Sequence, residues 1–227
     1  MKLSEVKALM LSRLGSIKRE GIPELLKYLN TKTDFYSAPA STKYHSNCDY
    51  GLMIHSHYVV EGLIKKNEEF KLGLSDDTIY LTGYMHDLCK TNTYKKGWGL
   101  TKDPLTDKWI GVAKYEFDEE LALGHGEKSV MLLQQFIKLS HEEMMMIRWH
   151  MGAFVPKEDL NTFSKACDKY PAVSAIFLAD MEASRFKEKI HTPATCTIET
   201  YNEYMKQKAS AEKKKLDETK ALTEFKS

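Results

Sequence analysis

Among eight histidines in the chain, one stands directly beside an aspartate near the end of an apolar, helix-like run, Gly83-Tyr84-Met85-His86-Asp87-Leu88-Cys89-Lys90. An imidazole nitrogen next to a carboxylate oxygen suits a divalent metal such as Mn, Fe, Zn or Co. Alone the dipeptide says little, since His-Asp pairs arise by chance. Its weight comes from further histidines and a second aspartate in similar company. They stand in Leu52-Met53-Ile54-His55, Leu123-Gly124-His125-Gly126-Glu127, Arg148-Trp149-His150-Met151-Gly152 and Ala179-Asp180, with an outlying Tyr44-His45.

Mostly helices must position these residues. Leu3, Val6, Leu9, Met10 and Leu14 recur at helical spacing before Gly15, and a second short helix starts at Ile22-Pro23-Glu24 and runs to Asn30. Both read as packing elements. Residues 34–50 read as an irregular loop. From Gly51 to about Asn67 the pattern is helical again, and His55 projects from its apolar face, where residue type alone reads as a core histidine. His57, two residues on, points elsewhere and reads as surface or as support for the site. Ser75 is an N-cap for the next helix, Gly83 permits close packing within it, and His86 and Asp87 lie near its C-terminal end. Adjacent helical side chains diverge by about 100°, so the two reach one metal only with opposed rotamers or at a helix end. Helices are further expected over Glu127–Leu139, from a cap at Ser140 to His150-Met151-Gly152, and over Asp159–Asp168. Asp180 closes an apolar run, where an unpaired carboxylate is costly.

Residues 91–123 are the least helix-like stretch and suggest a β-hairpin or lid, whose Tyr94, Trp98, Trp109 and Tyr115 either pack the hairpin or stack on a base. From 199 to 227 the chain carries Lys206, Lys208, Lys213, Lys214, Lys215, Lys220 and Lys226, which reads as an exposed helix fraying into a disordered tail.

The length of 227 residues fits one domain with appendages, and 33 basic against 32 acidic residues give no global field that demands nucleic acid, membrane or acidic partners. The four cysteines, Cys48, Cys89, Cys167 and Cys196, have no framework spacing and read as free thiols in a reducing compartment, with Cys89 as a small apolar filler. There is no secretory leader pattern, and no stretch approaches the roughly 18 apolar residues of a spanning helix. A cytoplasmic protein without membrane contact is expected; oligomeric state is not readable.

The ordered series His55, His86-Asp87, His125, His150, Asp180 resembles the HD-domain metal-dependent phosphohydrolase superfamily over about Ser37 to Arg185. The opening Ala38-Pro39-Ala40-Ser41-Thr42-Lys43-Tyr44-His45 is similar to the HD part of YhaM-type 3′→5′ exoribonucleases, and the whole looks more similar still to small stand-alone HD hydrolases of bacteria and phages. The resemblance implies an all-α fold, an HD-domain helical bundle with a small β-hairpin or lid inserted around residues 91–123. Residues 1–33 would be packing helices, 34–198 the phosphohydrolase domain, and 199–227 a charged helix or tail. It implies one or two divalent ions per chain (Mn, Fe, Mg, Co or Zn) held by His55, His86, Asp87, His125, His150 and Asp180. One ion would fall to His55, His86, Asp87 and Asp180, and a second to His125 and His150, with Asp87 bridging.

Hydrolysis of a phosphoester at neutral pH needs an activated water and relief of charge on the phosphoryl oxygens, which paired ions supply. Beside Asp87 as a catalytic ligand, Lys90 (the last position of HDxxK) is expected to neutralise phosphate, and Glu127 to act as an acid/base or to orient a histidine. His45, Lys90 and Trp98 are the expected substrate contacts. The leading expectation is a phosphohydrolase cleaving a phosphoester or phosphoanhydride bond of a nucleotide. A second is a 3′→5′ exonuclease on short single-stranded RNA or DNA, although residues 1–33 are too short and too helical for the nucleic-acid-binding domain that such enzymes carry. A third is a non-catalytic, metal-stabilised binding module.

Overall fold

Val6, Met10 and Leu14 recur one helical turn apart and are buried along one side of α1 (Leu3–Ser16). The computed structural model describes residues 2–224, and their side chains except at 215 and from 219 onward. After α1, a left-handed Gly21 opens α2 (Ile22–Thr31), whose Pro23 sits in the first turn, where its missing N–H has no helical partner to lose. An irregular segment leads to α3 (Gly51–Glu69), which buries Leu52, Met53, Val59, Val60 and Leu63. Ser75 caps α4 (Asp76–Met85), its Oγ accepting from the Thr78 N–H at 3.2 Å. Beyond the hairpin come α5 (His125–Leu133), α6 (His141–Arg148), α7 (Leu160–Lys169) and α8 (Ala172–Glu182), and α8 runs directly into a π-helical turn at Ala183–Lys187.

The core gathers around α3, with α4 on one side and α8 on the other. Two glycines allow that approach. A Cβ at Gly83 would lie 2.7 Å from Val60 Cγ2, and one at Gly62 would lie 3.1 Å from Ala179 Cβ. A larger residue at either position would push a site-bearing helix away from α3. Each fully buried leucine in this core, such as Leu52, Leu63 or Leu81, contributes on the order of 1.5–3 kcal/mol.

The chain divides into two compact units. One is made of the described residues through Lys95 with Phe117–His191, and the other of Lys96–Glu116 with the described residues from Thr192 onward. The first holds α1 to α8. In the second, β1 (Tyr94–Lys102, beginning in the first unit) and β2 (Trp109–Phe117) form the expected hairpin, turned by Asp103, whose Oδ1 accepts from the Leu105 and Thr106 N–H groups at 2.8 and 2.9 Å. A strand not foreseen from the sequence, β3 (Thr195–Cys196), pairs antiparallel to β2 with Gly111 opposite Cys196, so the fold is mostly helical with a three-stranded sheet. The final helix, α9 (Ile198–Glu224), is tied to β2 by the Lys208–Glu116 ion pair at 2.8 Å.

α1 and α2 pack into the same hydrophobic core as α3 and α4, and the described units divide elsewhere than at 33/34 and 198/199. The helix expected to reach Leu139 stops at Leu133, and the next turn stacks Phe136 on Tyr28 at 4.9 Å and buries Ile137. Tertiary packing there overrides helical periodicity. The lysine-rich end is the expected exposed helix, helical through Glu224 with Lys213 and Lys214 exposed, and the disordered tail into which it is expected to fray would lie outside the described residues. No helix among the described residues is long and apolar enough to cross a membrane.

Candidate metal centre

His86 and Asp87 sit where α4 ends. His86 is the C-cap with helical angles, and Asp87 turns out of the helix at φ −104°, ψ 23° before a 3₁₀ turn over Leu88–Lys90. The helix end thus resolves the 100° divergence of neighbouring side chains and lets both serve one centre. His55 comes from the second turn of α3, His150 from just past the end of α6, and Asp180 from the last turn of α8. Four elements of the first unit therefore converge.

The rings are locked from behind. His86 Nδ1 lies 2.8 Å from the Gly83 carbonyl, and His150 Nδ1 lies 2.8 Å from the Ile147 carbonyl. A carbonyl oxygen carries no proton, so each Nδ1 donates and each Nε2 is left with its lone pair facing inward. His55 Nδ1 meets Glu188 Oε1 at 2.7 Å, which fixes the same tautomer. This is the arrangement in which a ligating histidine is oriented by an acceptor behind it.

The groups facing inward are acceptors. His55 Nε2 is 3.1 Å from His86 Nε2, 3.3 Å from Asp180 Oδ1 and 3.4 Å from Asp87 Oδ2. His86 Nε2 is 3.4 Å from Asp87 Oδ2, and His150 Nε2 is 3.4 Å from Asp87 Oδ1. That last contact is not aligned as a hydrogen bond, so the His150 Nε2 is buried with no hydrogen-bond partner. Lone pairs converge on lone pairs, and a cation among them relieves the repulsion. With the imidazoles neutral, as ligands are, Asp87, Asp180 and Glu188 bring three negative charges and Lys90 one positive, an excess of two that a divalent ion matches. The residues present fit a metal: His55, His86 and Asp180 form one donor group, His86, Asp87 and His150 another, and Asp87, Cys89 and His125 a third.

Burial and the cluster's own charges shift the titration of its members in both directions. Burial opposes the charging of His55, but the hydrogen bonds that its ring donates to Asp87 and Glu188 outweigh it and raise its pKa to about 10. Burial likewise works against the Asp87 carboxylate, yet the Lys90 ammonium 2.6 Å away and the surrounding histidines hold it well below the usual range. His86 moves the other way, burial depressing its pKa despite Asp87.

The remaining expected residues divide. His45 is brought in: its ring centroid lies 4.9 Å from that of His55, and it forms a donor group with His55 and Glu188. Burial, followed by the charge on His55, lowers its pKa to about 4. Its loop is clamped to the Glu188 segment by Ser46 N–H to the Lys189 carbonyl at 2.9 Å and by Asn47 Nδ2 to the His191 carbonyl at 3.0 Å. Lys90, expected to meet phosphate, instead spends its ammonium on Asp87 Oδ2 from a buried position. Glu127 does not join the histidines; in the first turn of α5 it ion-pairs with Arg148. His125 opens α5, but its neighbour is Cys89, with Nδ1 3.4 Å from Sγ, and not the expected partner His150. His57 is buried and belongs to none of the donor groups. Trp98 is half-buried in β1, in the second unit.

Two contributors are not foreseen by sequence reasoning. Cys89, expected as filler, is one of them. Glu188, the other, stands 133 positions from His55, after the π-helical turn, and nothing in its neighbourhood marks it out. A π-helical turn is itself a feature that often accompanies functional sites, but sequence periodicity does not reveal one.

The chemistry lies apart from a cleft of about 700 Å³ that is lined by Arg19, Gly21, Glu24, Phe136 and Lys138 and contains none of these donors. Beside the centre, Cys89, Lys90, Thr93, Tyr94, Glu119 and His125 enclose about 30 Å³, the share of one water. Asp180, with a side chain 14% exposed, and the exposed His125 are the openings of an otherwise closed cluster. No protein-family model, curated protein or solved structure matches the chain.

Proposed function

We propose that the chain is a metal-dependent phosphohydrolase of the HD type, cleaving a phosphoester or phosphoanhydride bond of a nucleotide. One observation carries the reading. Locked Nε2 atoms of His55, His86 and His150 converge with Asp87 and Asp180 on a space suited to a cation. The order of these residues along the chain, with His125 among them, is the series that resembles the HD superfamily.

The roles follow from the contacts. His55, His86, Asp87 and Asp180 would hold a first divalent ion, and Asp87 reaches toward a second position with its other oxygen, Oδ2 facing His55 and His86 and Oδ1 facing His150. A bound divalent ion supplies Lewis acidity, which activates water at neutral pH and offsets charge on phosphoryl oxygens. Glu188 fixes the His55 tautomer. Lys90 keeps Asp87 ionised and aimed, a positioning task in place of the phosphate contact expected from HDxxK. The phosphate end of a substrate enters where Asp180 and His125 are open, because a space of about 30 Å³ holds a water and no nucleotide. His45 lies beside His55 with a buried Nε2 that makes no hydrogen bond.

Product analysis tests this. Mn-loaded protein is incubated with nucleoside mono-, di- and triphosphates, cyclic nucleotides and a short RNA, and the mixture is separated by chromatography. Loss of a nucleotide with the RNA intact is the expected result, and the product names the bond. An RNA shortened from its 3′ end would replace this reading with an exonuclease. No turnover by metal-bearing protein would leave a binding module.

A further inference from the structure

We propose that Cys89 is a metal ligand, and that with His125 and Asp87 it forms a mixed sulfur, nitrogen and oxygen position for a borderline cation such as Zn(II), Co(II) or Fe(II). The inference rests on the metal-centre reading above but departs from the ligand set expected for its second ion, which paired His125 with His150.

The geometry points to it on three counts. Cys89 Sγ lies 3.4 Å from His125 Nδ1 and 3.9 Å from Asp87 Oδ1, and the three donor atoms are mutually close enough to share one ion. With Zn–S near 2.3 Å and Zn–N near 2.0–2.1 Å, two ligands of a tetrahedral zinc stand about 3.5 Å apart, so the Sγ to Nδ1 spacing is already that of a first coordination shell. Next, the backbone holds the thiol in place: Cys89 N–H donates to Ser129 Oγ at 3.0 Å, from within the 3₁₀ turn over Leu88–Lys90. Finally, the small cavity of about 30 Å³ is bounded by both Cys89 and His125, room for a single water or ion.

Asp87 can serve this position because its two oxygens are divided. Oδ2 is engaged by Lys90 at 2.6 Å and faces His55 and His86, while Oδ1 faces His150 and Cys89. The neighbouring ammonium of Lys128 is already neutralised by Glu119 at 2.7 Å. A Cys–His contact also raises the option of a thiolate nucleophile. Burial argues against that, since Cys89 is only 3% exposed and a nucleophile must meet its substrate. A ligand needs only its ion.

On binding, the Cys89 S–H bond breaks, the S–metal bond forms and the proton leaves to solvent, so ligation releases a proton and strengthens as pH rises. A thiolate also biases selection toward Zn, Co and Fe over Mg.

Co(II) titration of chelator-stripped full-length protein reads this directly, because thiolate ligation produces a sulfur-to-cobalt charge-transfer band in the near ultraviolet. The band is expected in the unaltered chain and in Cys48→Ala, and is expected to vanish in Cys89→Ala and in Cys89→Ser. X-ray absorption at the zinc edge of unaltered protein, which needs no substitution to fold, is expected to show one sulfur scatterer. Cobalt bound with neither band nor sulfur scatterer would overturn the thiolate and leave a nitrogen and oxygen centre standing. A band that survives in both Cys89 variants would also overturn it. No metal bound at all would overturn this inference and the metal centre together.

Discussion

Helix α4 carries a buried charged cluster at each end, and the two are built to opposite plans. At its start, the Glu143 carboxylate of α6 accepts from Arg19 Nη1 and Nη2 at 2.9 and 2.6 Å, from Thr78 Oγ1 at 3.0 Å and from Ser140 N–H at 2.9 Å. Four donors converge on one carboxylate, and the Arg19 charge offsets that of Glu143. At its far end, acceptors meet acceptors, a ring nitrogen is left without a hydrogen bond, and negative charge is in excess. A closed polar cluster stabilises a fold, because its desolvation is offset by its own hydrogen bonds. An open one of the second kind is tolerated only where something else completes it. Burial alone does not separate a site from a structural knot; the balance of donors and acceptors does.

The comparison is broken most forcefully by Asp87→Ala. It should reduce metal-dependent turnover by at least about 10³-fold, more than the loss of a single oxyanion donor, while circular dichroism reports the same helical content. Turnover near the unaltered rate would place the chemistry elsewhere. The counterpart change, Glu143→Ala, strands Arg19 and should cost about 3 kcal/mol of stability in urea unfolding, the low end for a broken buried pair, with metal content unchanged. If it instead lost metal with stability intact, the two ends of α4 would have their roles reversed.

A smaller effect sharpens the distinction inside the centre. Glu188→Gln keeps an acceptor behind His55 but removes its charge. Metal affinity, measured by competition with a chromophoric chelator, should weaken by about 10–100-fold and the melting temperature should move little. The smallest effect is in pH. Burial opposes the Glu143 charge, but Arg19 and the Ser140 and Thr78 hydrogen bonds bring its pKa below the usual carboxylate value. A carboxylate depressed on folding contributes stability that is full above its unfolded pKa, about 4.3, and is lost as pH falls through its folded value. Glu143→Gln should therefore flatten the decline of stability below about pH 4.3 and leave the neutral range offset by a constant. An unchanged acid limb would mean that Glu143 does not titrate differently on folding.

How much of this is legible in the amino-acid sequence depends on the range of each interaction. Helices and caps are local: Ser75 and Ser140 are legible as N-caps, and the apolar stripe of α1 reads directly from Val6, Met10 and Leu14. The hairpin over β1 and β2 is local too. The meeting of His55, His86, Asp87, His150 and Asp180 is not, and only the resemblance of their order to a known series leads to it. Contacts without such a guide stay hidden. Glu188 sits behind a π-helical turn that periodicity cannot show, β3 is two residues long, and Glu127 is drawn away by Arg148 on another helix. Lys90 is legible as near the centre, while its pairing with Asp87 depends on the turn after α4.

Metal content per chain tests the central claim most directly. Full-length protein and Asp87→Ala are stripped with chelator, loaded with Mn(II) or Zn(II), passed through a desalting column and analysed by mass spectrometry of the elements. At least one ion should remain on each unaltered chain and essentially none on Asp87→Ala. Equal content in the two, or none in either, would contradict the account.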